Sequence, residues 1–403
     1  MAGTPGTPGT PRVLRAMNDR AALDLLLEHG ALSRTKIGKL TGLSKPTASQ
    51  LLARLESAGL VVATGTSEGR PGPNAQLYAV NARAAHVAAL DVTPERILAA
   101  VADVTGETVG QFALPTPGRR AAESVVVQVT EALDGAVKAA GLVRSDVHRV
   151  VVATPGAFDP GTGRLRYASH LPGWHSPTLL DELAAALPMP VEYENDVNLA
   201  AVAEQRLGAA RGHQDFVLLW NEGGLGAALV INGQLHRGWT GGAGEVGFMP
   251  VPGTPLVRRV TKANSGGFQE LAGGQAVPRL ARELDIPVPA ADSYTEEAVA
   301  LLAEASLAGS GPYRDLLQAF ATGLATGLAS MVALLDPELI VLSGGVLVAG
   351  GEPLRALVQS ELAELAAPRP RLVIGSVQEQ PVLRGALESA LATTRDEVFD
   401  TSR

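Results

Sequence analysis

The sequence predicts an α/β protein: a small winged helix-turn-helix unit at the amino end, followed by a larger body of alternating strands and helices arranged as two lobes around a cleft. Three observations predict it. Residues 13–59 hold three closely spaced amphipathic helix patterns. Two short apolar runs then flank a Gly/Pro-rich loop. From residue 85 onward, apolar strand-like runs alternate with longer helical ones. A chain of 403 residues with 46% hydrophobic content has room for two or three such units with real cores.

Residues 1–11, Met-Ala-Gly-Thr-Pro-Gly-Thr-Pro-Gly-Thr-Pro, have no apolar centre for a signal peptide and read as a disordered tail. Residues 12–83 form the winged unit. Val13 to His29 places Leu23, Leu26 and Leu27 on one apolar face, and Gly30 ends that helix. Ser33 is placed to cap a second helix, Arg34 to Thr41, with Ile37 and Leu40 expected to point inward. Gly42 makes the turn, Ser44 caps a third helix, and Pro46 sits in its first turn, where a missing N–H costs little. That helix continues through Ala48, Leu51, Leu52 and Leu55 to Gly59. Short helices joined by a Gly-containing turn are the helix-turn-helix pattern.

The polar face of the third helix carries Ser44, Lys45, Thr47, Ser49, Gln50 and Arg54. These are short or flexible donors and acceptors, mostly in the half of the helix that meets base edges and phosphates in a major groove. A solvated helix face would have the same composition, so the neighbouring strands decide. Leu60 to Ala63 and Leu77 to Val80 read as partners, and the loop between them holds Arg70 between glycine and proline, suited to a narrow minor groove. Residues 1–83 carry ten Lys/Arg against five Asp/Glu, which is +5 and leaves −13 for the remainder of a chain of net charge −8. A basic head on an acidic body approaches phosphates while the body is repelled. Double-stranded DNA is the expected partner.

In the body, Val87–Asp91, Ile97–Asp103, Val147–Thr154, Phe216–Trp220, Ala227–Ile231 and Leu339–Ser343 read as strands. Ala121–Ala140, Pro177–Leu187, Ala319–Leu335 and Gln378–Leu391 read as helices. The first lobe is expected over 84–200, rejoined by about 376–403, and the second over 201–375. There is no cysteine, which excludes disulfides, cysteine-ligated zinc and thiol nucleophiles. No run of ~18 apolar residues occurs, so no membrane partner is expected and the cytoplasm is the expected compartment.

Six segments of the body occur in a telling order: Thr154-Pro-Gly-Ala-Phe-Asp159, Leu171-Pro-Gly-Trp174, Glu194-Asn-Asp-Val-Asn198, Asn232-Gly-Gln-Leu-His-Arg-Gly238, Gly242-Ala-Gly-Glu-Val-Gly247 and Leu342-Ser-Gly-Gly345. Each is weak alone, but together they resemble the ROK family of repressors, open-reading-frame proteins and sugar kinases, over nearly all of residues 85–400. The resemblance implies an actin-like ATPase (ribonuclease H-like) body of sugar-kinase type. It also implies that Asn195, Asp196, Glu245 and Glu270 hydrogen-bond a sugar, with Asp196 at the position of the kinase general base. His170 stands where the family has asparagine before Leu-Pro-Gly-Trp, and Phe248 stands where it has a histidine that ligates zinc and touches the sugar. Both are therefore expected at the ligand.

Other features depart from that pattern. The kinase phosphate turn Asp-x-Gly-Gly-Thr reads Asp91-Val-Thr-Pro-Glu95, which loses two glycines, places a proline without an N–H and adds a carboxylate. The second turn, Gly-Thr-Gly-x-Gly in kinases, reads Glu222-Gly-Gly-Leu-Gly226. The family's three zinc cysteines fall at Thr261, Ala263 and Phe268, none a replacement for thiolate. Neither a metal nor a cofactor is expected, and apolar packing by Phe248 and Phe268 is expected to fill the metal void. The expected function is a sugar-responsive regulator, most simply a repressor of carbohydrate genes, acting as a homodimer or dimer of dimers on a palindromic or inverted-repeat operator. Two alternatives stay open: a sugar kinase with a DNA-binding extension, and a regulator whose body serves only for dimerisation.

Overall fold

The computed structural model describes residues 11–66, 75–116, 124–159, 161–162, 164–166, 171, 173–174, 176, 178–258 and 266–401. The head is built from α1 (Pro11–His29), β1 (Leu32–Ser33), α2 (Arg34–Thr41), α3 (Lys45–Ser57), β2 (Val61–Thr66) and β3 (Gln76–Val80). Side-chain caps begin α2 and α3: the Ser33 hydroxyl accepts the Lys36 amide and the Ser44 hydroxyl accepts the Thr47 amide. Gly42, at φ 72°, ends α2 in the left-handed conformation that favours glycine. Strands β1, β3 and β2 form a three-stranded antiparallel sheet in that order, with a bulge between Ala63 and Gly65. The wing loop, residues 67–74 with Arg70, lies outside the described residues.

One inward-pointing expectation is corrected. Leu40 is 42% exposed, while Ile37 and Gly38 are the buried residues of α2. The helix packs closely at Gly38, where an added Cβ would lie 3.1 Å from the Leu43 carbonyl and 3.6 Å from the Ala48 Cβ. The buried face is therefore centred between residues 37 and 38, and at about 100° per residue Leu40 falls well off it.

The body uses one strand pattern twice. β4 (His86–Val92), β5 (Arg96–Asp103) and β6 (Thr108–Pro115) form an antiparallel meander. After α4 (Val125–Ala139), β7 (Val147–Thr154) adds parallel to β4. The small hairpin β8 (Ala157–Asp159) with β9 (Arg164–Arg166), then α5 (Leu179–Ala186), lead to β10 (Val191–Asn195), parallel to β7. Helix α6 (Asp196–Leu207) crosses to the second sheet. There β11 (Phe216–Asn221), β12 (Leu225–Ile231) and β13 (Gln234–Leu235) repeat the meander. Helices α7 (Gly267–Ala272), α8 (Ala276–Glu283), α9 (Tyr294–Leu307) and α10 (Pro312–Leu335) follow, then β14 (Leu339–Ser343), α11 (Gly345–Leu365), β15 (Arg371–Ile374) and α12 (Pro381–Val398). β14 lies parallel to β11 and β15 parallel to β14. The two orders, β10-β7-β4-β5-β6 and β13-β12-β11-β14-β15, are thus the same connectivity.

Residues of α6 and α12, such as Leu199, Ala200, Leu383 and Leu387, form one buried cluster with inward faces of both sheets, including Val87, Val151, Leu218 and Val341. The outer face of the first sheet packs on α4 and α5, and that of the second on α7 to α11. Helix α10 is long and apolar enough to cross a membrane by length and composition, but Leu316, Leu317, Phe320, Leu324 and Leu328 bury it in the second lobe's core. The head has its own core, Leu23, Leu26, Ile37, Leu51, Leu52 and Leu55, completed by Ala85, Val104 and Phe399 of the body.

Candidate functional site

Two concave surfaces carry some of the residues singled out by the sequence. On the head, Lys45, Thr47 and Gln50 are exposed and Ser49 is half-buried. The Ser44 cap hydroxyl also lies 2.8 Å from the Thr47 hydroxyl, and the Ser49 hydroxyl donates to the Lys45 carbonyl at 2.8 Å. A concavity of about 660 Å³ between α2 and α3 is lined by Lys45, Pro46 and Ser49 from α3, and by Arg34, Thr35, Gly38 and Lys39 from α2. The basic α2 residues were missed from the sequence, although Thr35, Gly38, Lys39 and Gly42 fall at helical spacing on one face. Arg54 is placed differently from the others. Its Nη2 donates to Asp19 Oδ1 of α1 at 2.6 Å.

In the body, the β4–β5 turn, the β11–β12 turn, the start of α6, the loop at 241–248 and the start of α12 enclose a cleft of about 1250 Å³. Asn195, Asp196, Glu245 and Phe248 line it together. Asn195 caps α6: its Oδ1 accepts the Asn198 amide, and its Nδ2 donates to the Gly156 carbonyl and to Asp196 Oδ1, each at 3.0 Å. Asp196 Oδ1 also accepts the Val197 amide at 2.8 Å. Burial pushes the Asp196 carboxyl up to about 7, the Val197 amide opposing it while Asp91, Glu245 and Glu222 add to it. Burial likewise pushes Asp91 up to about 6, against the pull of Arg96. Glu222 is raised by burial and by Asp91, and Glu245 by burial. Asp91 and Glu222 thus line the cleft from the two degenerate phosphate turns read in the sequence, whereas Arg96 was not singled out there.

Two of the six segments that carry the resemblance hold each other in place. Glu194 accepts the Asn195 amide at 2.9 Å, Asn198 Nδ2 at 2.8 Å and Arg237 Nε at 2.6 Å. The Arg237 segment leads directly into the Gly-rich loop that presents Glu245. Gly244 in that loop has φ 97°, and an added Cβ would stand 1.9 Å from the Ala227 carbonyl oxygen.

Glu270 is not brought into the lining. Its Oε2 accepts the Gly266 amide at 2.6 Å, capping the start of α7 instead. His170 lies outside the described residues, as do Thr261 and Ala263. Phe268 is fully buried, its ring against Gly327, whereas Phe248 is only half-buried and faces the cleft. Only one of the two phenylalanines therefore packs as core. Among the described residues no group of three or more His, Asp or Glu is placed to hold a metal ion.

The β4–β5 turn closes on itself. The Thr93 amide donates to the Arg96 carbonyl at 2.9 Å and the Arg96 amide to the Thr93 hydroxyl at 3.2 Å, with Pro94 between them. The β11–β12 turn is held from α9, where the Tyr294 hydroxyl donates to the Gly223 carbonyl at 2.6 Å.

Comparison with known proteins agrees with this anatomy. A MarR family model matches residues 17–70. A putative xylose repressor of Caldicellulosiruptor sp. is 25% identical over 337 residues, covering 82% of this chain and 83% of its own length. The crystal structure of a ROK family transcriptional regulator, described as a homologue of the E. coli MLC protein, superposes with a TM-score of 0.70 at 21% identity, covering 94% of this chain and 96% of that one. A ROK hexokinase from Thermus thermophilus superposes with a TM-score of 0.63 at 28% identity, covering 77% of this chain and 99% of that one. The ROK family model itself matches residues 87–393, three quarters of the sequence, so the chain belongs to the ROK family.

Proposed function

We propose that this chain is a sugar-responsive, DNA-binding transcriptional repressor of carbohydrate genes that transfers no phosphate. The observation that carries the reading is the state of the cleft. On one side, the β4–β5 turn spends the Thr93 and Arg96 amides on itself, Pro94 has none, and Glu95 adds charge where a kinase would cradle phosphate. On the other, Asp196 keeps Oδ2 and Glu245 its whole carboxylate without a protein hydrogen bond among the described residues, which suits paired sugar hydroxyls. The resemblance to a putative xylose repressor over 82% of this chain supports the same reading.

Two subunits would set two heads on an inverted repeat in the cytoplasm. Sugar would act by binding the DNA-incompetent arrangement more tightly. One observation favours a second reading, a sugar kinase with a DNA-binding extension: Asp196 near 7 is poised as a general base. A coupled phosphorylation assay over pentoses and hexoses with ATP separates the two. No turnover, with thermal stabilisation by at least one neutral sugar, is the expected outcome. ATP-dependent phosphorylation of any sugar would establish the kinase. Absence of stabilisation by every sugar would leave the body as a dimerisation platform.

A further inference from the structure

We propose that Asp19 is the positioning residue through which the carboxy-terminal helix controls the DNA-reading helix. Its side chain is buried between three elements. Oδ1 accepts Arg54 Nη2 of α3 at 2.6 Å, and Oδ2 accepts the Thr401 hydroxyl at 3.0 Å. One carboxylate thus joins the reading helix to the segment that follows α12. A buried charge keeps its geometry only while its partners stay in place, so displacement of Thr401 loosens the grip on Arg54.

The surroundings make this a junction rather than an isolated bond. Arg20, next to Asp19, donates to Asp396 Oδ1 at 2.7 Å, and its guanidinium lies 5.8 Å from the Phe399 ring centre. Phe399 is 1% exposed and packs in the head's own core. Helix α12 is in turn tied to the body by Arg395 Nε on the Val104 carbonyl at 2.9 Å and by Glu397 on Arg149 Nη2 at 2.6 Å. Its first turn, Pro381 and Val382, lines the cleft. The helix that begins at the proposed sugar site therefore ends on the carboxylate that holds α3. Arg54 is a strut of this junction rather than a free DNA contact.

This inference rests on the DNA-binding reading of the head, and the test keeps the two apart. Thr401→Val, Thr401→Ser, Arg54→Ala and the Thr401→Val/Arg54→Ala double variant are made in the full chain. Each is titrated against a duplex recovered by in vitro selection with the wild-type chain, and the backbone amides of α3 are followed by hydrogen exchange. Thr401→Val should bind the duplex roughly five- to ten-fold more weakly and exchange faster in α3, and Thr401→Ser should restore both. In the Arg54→Ala background the Thr401→Val effect should vanish, because among the described residues Asp19 is the hydrogen-bond partner that Thr401 and Arg54 share. Unchanged α3 exchange in Thr401→Val, or fully additive losses in the double variant, would overturn the coupling. Failure of the wild-type chain to select any duplex would sink the DNA reading instead, and the exchange measurement would still decide the coupling.

Discussion

At the scale of single residues, the cleft sets carboxylates beside one another, half-buried at Asp91, Asp196 and Glu245 and exposed at Glu222. Asp196 is the extreme, raised to about 7 from the ordinary aspartate range. A carboxyl with a raised pKa in the folded chain contributes stability that is complete below its unfolded value and is lost as pH climbs through the folded one. The chain should therefore lose up to about 4 kcal/mol from this site as pH rises from about 4 to about 7. Asp196→Asn should flatten that part of the stability profile, which urea titrations at several pH values would show. A variant profile as steep as the wild type would place the titration elsewhere. Gly244 is the second sensitive position. With φ 97° and a Cβ 1.9 Å from a carbonyl oxygen, Gly244→Ala should cost on the order of 2–4 kcal/mol, read by the urea midpoint, and should abolish any sugar-induced thermal shift.

At the scale of elements, α3 depends on its first turn. Ser44→Ala removes the acceptor of the Thr47 amide and should cost about 1 kcal/mol. Faster amide exchange at the start of α3 than at its end would report it, and uniform exchange along the helix would contradict the cap. The caps show why the head was so legible: Ser33, Gly42, Ser44 and Pro46 are local signals, and α2 runs over Arg34–Thr41 as the sequence predicts. Leu40 was misplaced because close packing at Gly38, a tertiary fact, rotates the buried face. In the body, β7 and β14 were readable as continuous apolar runs. β10, reading Val-Glu-Tyr-Glu-Asn, and β6, exposed at every position but Gly110 and Leu114, lacked that signal and were missed. The cleft was half legible. Asn195, Asp196, Glu245 and Phe248 came from the resemblance and meet in space. Asp91 and Glu222 join them from the two degenerate phosphate turns, the first turns of the repeated meander, while Arg96 beside Asp91 carried no such signal. Glu270 lies on the right helix, with its carboxylate engaged by a backbone amide.

At the scale of the whole molecule, the head is not a bead on a string. Its core contains Phe399, Val104 and Ala85 from the body, so the chain's last helix completes its first domain. Phe399→Ala should cost roughly 3–5 kcal/mol and should split one thermal transition into two by calorimetry, the head melting first. A single transition lowered as a block would mean that head and body remain one cooperative unit without it. The same architecture lets a ligand between two similarly built sheets act on a surface at the far end of α12.

The most direct measurement of that claim is a fluorescence anisotropy titration of the full chain with its selected duplex, repeated across a panel of neutral mono- and disaccharides and with ATP and magnesium. At least one sugar should change duplex affinity ten-fold or more, equivalent to about 1.4 kcal/mol of coupling, and ATP should change nothing. Duplex affinity that is the same in the presence of every sugar would contradict a sugar-responsive repressor.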